Sequence, residues 1–247
     1  MIDLIKKYLN RNGFDSFDLK AVLFDMDGVL YNSMPAHAQS WQETMVEFGF
    51  ETTSYNEFFM HEGRVAEATV DMIFERERNR KANADEQKEI YARKTELFQK
   101  YNSGKTIENS HSVIDLVKKR GLLPVLVTGS GQAALLDKLN DNFPNTFERN
   151  TMVTAFDVKI GKPHPEPFLM GLQKGGNLKP NQAIAIENAP LGTEAAHKAG
   201  VFTIAVNTGP LDTQVLWDSG ADMVFDSMSE FYDTLPQLLD TLAEVKN

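Results

Sequence analysis

The fold of this 247-residue chain is decided by residues 23–30, LFDMDGVL. The apolar run at 21–24 is too short for a helix and rich in branched and aromatic side chains, so it predicts a buried strand. Asp25 and Asp27 follow at its end, and ligands of parallel α/β sheets bind outside the carboxyl ends of the strands. Two adjacent carboxylates repel each other unless something compensates, most simply a divalent cation. Taken alone, the pattern also fits an Asx-rich turn.

After about residue 107, apolar runs alternate with helical patterns. The predicted strands lie at 123–127, 152–153, 184–186, 202–206 and 223–225, and the predicted helices at 113–119, 132–139, 165–172, 191–199, 214–217 and 231–245. Strands that alternate with helices predict an α/β fold with a doubly wound parallel sheet and right-handed crossovers.

Between about residues 34 and 101 helical periodicity dominates and nothing resembles a core strand. We therefore predict a core domain formed by residues 20–33 and 107–247, with a small all-helical domain inserted at 34–106. Residues 1–19 lack the continuous apolar core of a signal peptide and are predicted to form a helical extension that packs on the core.

The composition excludes several classes of protein. The chain has no cysteine, which excludes disulfides, thiol catalysis and zinc–thiolate sites and fits a reducing, cytoplasmic location. A net charge of −10 argues against nucleic acid as a partner. The apolar runs are far shorter than the ~18 residues of a membrane helix. We expect a monomer that acts on a small molecule.

Three further segments place polar side chains at the same predicted sheet edge. The strand at 123–127 runs into Thr128-Gly129-Ser130-Gly131, which could cradle a phosphate, and a proline-rich loop presents Lys162. The strand at 184–186 ends in Glu187 and Asn188, whose oxygens suit a hard cation. Each segment alone also fits an ordinary loop, a surface lysine or a helix cap.

In this order, D-x-D-G, T-G-S, G-K-P and E-N, the motifs resemble those of the haloacid dehalogenase-like (HAD) superfamily. The resemblance covers almost the whole chain from about Lys20. It is closest to the branch with a helical cap after the first strand, and within it to the β-phosphoglucomutase-like and pyrophosphatase-like enzymes. It implies a Rossmann-like HAD core and identifies the inserted helical domain as the cap.

The resemblance also implies a mechanism. Asp25 would be the nucleophile that becomes an aspartyl phosphate, and Asp27 the general acid and base. Thr128, helped by the N–H groups of Gly129 and Ser130, would hold the transferring phosphoryl group. Lys162 would neutralise the charge that develops on it.

The implied cofactor is Mg²⁺, bound by the Asp25 carboxylate, the Asp27 backbone carbonyl, Glu187 and Asn188. The family commonly has Asp where this chain has Asn188, so one negative charge is missing. Glu62, in the cap loop that faces the site, is a candidate to supply it when the cap closes. Alternatively, Glu62 is simply a capping or surface residue.

Three other cap residues are candidate substrate ligands. Related sugar phosphomutases carry an arginine three residues after the loop glycine, but that position is Ala66 here and the arginine is Arg64 instead. His37 matches a hinge histidine that contacts the acid/base aspartate, although core packing could also explain it. Lys94 matches a cap lysine on the substrate, and a surface position is the alternative.

These features together predict a Mg²⁺-dependent phosphohydrolase that acts through an aspartyl phosphate on a small phosphate substrate, either pyrophosphate or a compact monoester. The alternative is a β-phosphoglucomutase with the same nucleophile. Less favoured is a non-catalytic phosphate-binding module, because Asp25, Asp27, Thr128 and Lys162 are all present. Dehalogenation is disfavoured because it requires neither Asp27 nor a metal.

Overall fold

The computed structural model describes residues 1–131 and 133–246. Gln132, where we predicted that a helix begins, and Asn247, the end of the predicted core domain, lie outside the described residues. Within them the helices are α1 Ile2–Asn12, α2 Met34–Glu47, α3 Glu57–Met60, α4 Ala66–Arg78, α5 Ala84–Tyr101, α6 Ser110–Lys119, α7 Ala133–Asn142, α8 Glu166–Lys174, α9 Pro190–Lys198, α10 Thr213–Asp218 and α11 Met228–Glu244.

The six strands of the described chain form one parallel sheet in the order β3-β2-β1-β4-β5-β6. Their bounds are β1 Ala21–Phe24, β2 Leu123–Val127, β3 Met152–Val153, β4 Ala183–Glu187, β5 Phe202–Val206 and β6 Met223–Phe225. The strand order reverses between β1 and β4, which is where ligands bind in such sheets. The predicted α/β fold is confirmed.

Alternate residues of each central strand face opposite sides of the sheet, and both sides are buried. On β1, Val22 and Phe24 join the larger hydrophobic cluster, whereas Ala21 and Leu23 join the cluster on the other face. This explains why β1 is continuously apolar, since a strand covered on both faces has no polar side.

Helices α2–α5 all lie between β1 and β2, in the predicted inserted domain, and they have a hydrophobic cluster of their own. Trp41, Met45, Ile73, Phe74 and Ile90 are among its buried members. The four-residue helix α3 was not predicted, because a single turn is too short to show helical periodicity.

Two linkers run side by side between the cap and the core. The Asn32 N–H donates to the Lys105 carbonyl at 2.9 Å, and the Ile107 N–H donates to the Leu30 carbonyl at 2.9 Å. The start of the cap therefore lies next to its end, as expected for a domain inserted at one point of the core.

No helix among the described residues is long and apolar enough to cross a membrane.

Candidate active site

The predicted site residues meet where β2, β1 and β4 end. These strands are neighbours in the sheet, so Thr128, Asp25 and Glu187 come from adjacent strand ends. The Asp25 N–H donates to the Ile186 carbonyl at 3.0 Å, which continues the ladder past β1 and fixes the Asp25 backbone. The structure therefore places the ends of these three strands side by side, with Asp25 and Glu187 sharing one lysine.

Lys162 is buried in the centre of the site. Its Nζ lies 2.5 Å from Asp25 Oδ1 and 2.5 Å from Glu187 Oε1, and all three side chains are fully buried. Burial by itself would lower the pKa of Lys162, but the charges of Asp25, Glu187 and Glu62 raise it above the ordinary value. The lysine is thus a fixed positive charge beside Asp25.

Glu62 reaches this cluster from the cap. Carboxylate oxygens of Asp25, Glu62 and Glu187 lie within 4.8 Å of one another. Three buried oxygens at the site have no hydrogen-bond partner: Asp25 Oδ2, Glu62 Oε2 and Asn188 Oδ1. Buried polar atoms are rarely left unsatisfied, and carboxylate and amide oxygens are the donors that Mg²⁺ prefers. The residues therefore fit a divalent cation.

The charge of the cluster supports the same conclusion. Loss of solvation on burial, assisted by Glu187 and Asp27, raises the pKa of Asp25 to about 8 even though Lys162 opposes it. Burial and the charge of Asp25 raise the pKa of Glu62 well above its ordinary value. If all three carboxyls were ionised, the one lysine would leave an excess of two negative charges, and a divalent cation would balance this excess and stabilise the ionised forms.

Gly28 fixes the orientation of the Asn188 amide. Gly28 has φ 83°, a backbone conformation that favours glycine, and a methyl group there would collide with Asn188 Nδ2. Because the nitrogen packs against Gly28, the unpaired Oδ1 is the atom left for the ion.

The Asp27 side chain is held in a buried polar network. Its Oδ1 accepts a hydrogen bond from Ser33 Oγ at 2.5 Å and lies 3.3 Å from His37 Nε2, while Lys94 Nζ lies 2.8 Å from His37 Nδ1. Burial works to raise the pKa of Asp27, but His37, Ser33 and Lys94 together hold it below its usual value. Asp27 is thus poised as a carboxylate.

Lys94 is itself buried, 2 % exposed, between the rings of Trp41 and Phe98. This burial lowers the pKa of Lys94 to about 7. The surface position that we weighed for Lys94 is wrong.

Two glycine contacts seat the cap loop on the core. A methyl group at Gly129 would lie 2.6 Å from the carbonyl oxygen of Gly63, and one at Gly161 would lie 2.7 Å from Val65. A side chain at Gly129 or Gly161 would collide with the cap loop, so the closed position of the cap requires glycine at both positions.

A cavity of about 70 Å³ remains between cap and core. Arg64, His37 and Lys94 line it from the cap, and Gly129 and Ser130 line it from the core. The Ser130 N–H donates to Thr128 Oγ1 at 2.9 Å, so a bound phosphate would have to take this donor over. All the predicted substrate-binding residues thus lie in or beside one site.

The comparisons with known proteins agree with this geometry. The family model of the haloacid dehalogenase-like hydrolases matches residues 22–206, well over half of the chain. This chain belongs to that family. The resemblance that the four motifs suggested is confirmed, as is the class of HAD-type phosphatase or phosphotransferase.

Individual relatives cover between 76% and 98% of this chain. A solved structure from Bacteroides vulgatus, described provisionally as a beta-phosphoglucomutase, is 51% identical, with a TM-score of 0.94 and 98% of both chains covered. An uncharacterized Haemophilus influenzae protein is 32% identical over 76% of this chain and 92% of its own length. Hexitol phosphatase A of Escherichia coli is 27% identical over 85% of this chain and 92% of its own.

Two features of this HAD site were not predicted. Ser33, fully buried, donates to Asp27, and Thr208 Oγ1 donates to the Gly28 carbonyl at 2.6 Å. Isolated hydroxyl residues carry no periodic signal. Only the nearness of Ser33 to the D-x-D-G motif could have drawn attention to it.

Proposed function

We propose that this protein is a Mg²⁺-dependent phosphohydrolase that acts through an aspartyl phosphate on a small substrate, pyrophosphate or a compact phosphate monoester. The observation that carries the proposal is the convergence of the cap carboxylate Glu62 with Asp25 and Glu187, within 4.8 Å, over a buried lysine.

Mg²⁺ would be held by Asp25, Glu62, Glu187, Asn188 and the backbone carbonyl of Asp27. When bound, it would supply positive charge that keeps Asp25 ionised and neutralises the phosphate oxygens. Asn188 would supply an oxygen without a charge, and Glu62 would restore the charge that a second core carboxylate would have given.

In the first half-reaction an Asp25 carboxylate oxygen attacks phosphorus, and the bond from phosphorus to the leaving oxygen breaks. Lys162, 2.5 Å from Asp25, offsets the charge that accumulates between nucleophile and phosphoryl group. Because Asp27 is ionised in the free protein, it first takes up a proton as the substrate binds, and it then gives this proton to the leaving oxygen.

In the second half-reaction Asp27, now a carboxylate, takes a proton from water as the water attacks the phosphorus of the aspartyl phosphate. Phosphate leaves and Asp25 is regenerated, so the proton that Asp27 lost is restored. The hydrogen bond from Ser33 and the contact with His37 favour the ionised form of Asp27 that this step needs.

The size of the site favours a small substrate. The cavity of about 70 Å³ is well below the roughly 300–1,000 Å³ of typical small-molecule sites. Glu62 occupies space next to the reacting atoms, where a larger leaving group would have to fit. Arg64 also lines the remaining space, and its guanidinium suits a leaving group that is itself anionic, such as the second phosphate of pyrophosphate.

The second candidate is a β-phosphoglucomutase. It is favoured by the Bacteroides vulgatus relative at 51% identity and by the contact of His37 with Asp27 that is expected in mutase-like members. The small cavity and the alanine at position 66 count against it. Hexitol phosphatase A, in contrast, is a hydrolase by name, and it too resembles this chain.

The proposal is tested by trapping the intermediate. The protein should be quenched in acid during turnover of pyrophosphate with Mg²⁺, and its peptides analysed by mass spectrometry. We expect phosphate on Asp25, no trapped phosphate and no release in Asp25→Asn, and loss of both signals in EDTA. Turnover that persists in Asp25→Asn would overturn the mechanism.

A further inference from the structure

The loop Asn207–Leu211, which follows β5, touches both the cap and the metal-binding turn. On the core side, Thr208 Oγ1 donates to the Gly28 carbonyl at 2.6 Å, and Gly28 packs on Asn188. This hydrogen bond ties the loop to the turn that carries Asp27. None of the motifs that identify the family includes this loop.

On the cap side, the loop makes two apolar contacts. Leu211 packs against the hydrophobic cluster of the cap, and a methyl group at Gly209 would lie 3.0 Å from the Phe59 ring. Phe59 is 5 % exposed and contacts the Tyr55 ring at 5.5 Å, so its position is set by the cap. The Phe59 ring of the cap therefore packs directly against the core backbone at Gly209.

The loop is braced from within. Asn207 Nδ2 donates to the Leu211 carbonyl at 2.8 Å and to Thr213 Oγ1 at 3.2 Å, and Asp212 caps α10 by accepting from the Gln214 N–H. Because these hydrogen bonds fix both ends of the loop, the loop stays in place on the core and does not move with the cap. A braced loop instead favours one position of the cap over others.

We infer that Asn207–Leu211 is the seat of the closed cap, and that Leu211, Gly209 and Phe59 are positioning residues that hold Glu62 over Asp25 and Glu187. The inference rests on the proposed function insofar as Glu62 is delivered by cap closure. Phe59 and Glu62 lie three residues apart in the same cap segment, so support under Phe59 also fixes the height of Glu62 above the sheet.

Two variants perturb the seat in opposite ways. Leu211→Ala removes an apolar contact, whereas Gly209→Ala adds a methyl group against Phe59 at 3.0 Å, tighter than ordinary van der Waals contact. Both should disfavour closure. Leu178→Ala is the matched control, because Leu178 is also a partly buried leucine but packs in the core cluster on the other face of the sheet. The melting temperature of each variant is measured to check that it is folded.

Closure can be measured without turnover. The chain has no cysteine, so spin labels can be placed uniquely by Val46→Cys in the cap and Leu169→Cys in the core, both exposed positions. Distances between the labels are measured by electron spin resonance with Mg²⁺ and inorganic phosphate. We expect the ratio of open to closed molecules to rise about five- to thirtyfold in Leu211→Ala and Gly209→Ala, and to stay unchanged in Leu178→Ala.

Distance distributions in Leu211→Ala and Gly209→Ala that match the unsubstituted protein would overturn the inference, as would an equal shift in Leu178→Ala. Failure of the proposed function would show differently. In that case the unsubstituted protein would release no phosphate, while the effect of the two variants on the distances would be unchanged.

Discussion

Replacing Glu62 by glutamine should weaken Mg²⁺ binding by roughly 30- to 700-fold. A unit charge pair 4 Å apart is worth about 4 kcal/mol at an effective dielectric constant of about 20. The attraction at contact with a divalent ion is larger, but the lost hydration of ion and carboxylate offsets part of it. We therefore take about 2–4 kcal/mol as the net loss, which gives this range of affinity. The shape of the side chain is kept, so the change isolates its charge.

The dissociation constant of Mg²⁺ is measured by isothermal titration calorimetry at pH 8, without substrate. Glu67→Gln is the matched control, because Glu67 is an exposed carboxylate five residues further along the cap and outside the cluster. Asn188→Asp in the Glu62→Gln background returns a carboxylate to the core side and should recover most of the affinity. A Glu62→Gln protein that binds Mg²⁺ as tightly as Glu67→Gln would refute the reasoning.

Three other predictions follow from the same contacts. Gly129→Ala should cut kcat/KM at least about tenfold at unchanged melting temperature, because its methyl group would lie 2.6 Å from the Gly63 carbonyl and block closure; steady-state kinetics checks this. In EDTA, urea unfolding should show the stability of the protein, relative to that of Asp25→Asn, falling from about pH 4 to about pH 8, since buried Asp25, with its pKa raised from 3.8 to about 8, holds a proton that the unfolded chain has released; excess Mg²⁺ should flatten the slope. Arg11→Ala should cost about 1–3 kcal/mol in the same assay, because it leaves buried Asp222, 6 % exposed, without its partly exposed ion-pair partner.

Much of the core could be predicted from local pattern. The apolar run of β1 and the polar residues directly after it are adjacent in sequence, so both the strand and its functional end are visible there. Lys162 could be placed only through the family resemblance, because nothing in its own loop indicates that it reaches Asp25 across the sheet edge. The structure shows why a lysine is needed, since two buried carboxylates share it.

Apart from Glu62 and His37, which the family resemblance indicated, the contacts between cap and core could not be predicted. Lys94 lies in a helix rich in charged residues, and nothing in that pattern distinguishes it from its exposed neighbours. Gly63 and Gly129 meet across a long sequence separation, and a glycine has no side chain whose type would signal a partner. The loop Asn207–Leu211 reads as an ordinary turn. Such contacts depend on how the cap docks on the core, which local periodicity does not encode.

The most direct test of the proposed function is a comparison of kcat/KM for Mg²⁺-dependent phosphate release from pyrophosphate and from a panel of sugar phosphates. β-Glucose 1-phosphate is included, with a coupled assay for glucose 6-phosphate, and Asp25→Asn serves as the blank. We predict that pyrophosphate or a compact monoester exceeds every sugar phosphate, and that Glu62→Ala removes this preference. Isomerisation of β-glucose 1-phosphate as the fastest reaction would contradict the role given to Glu62 and identify the protein as a mutase.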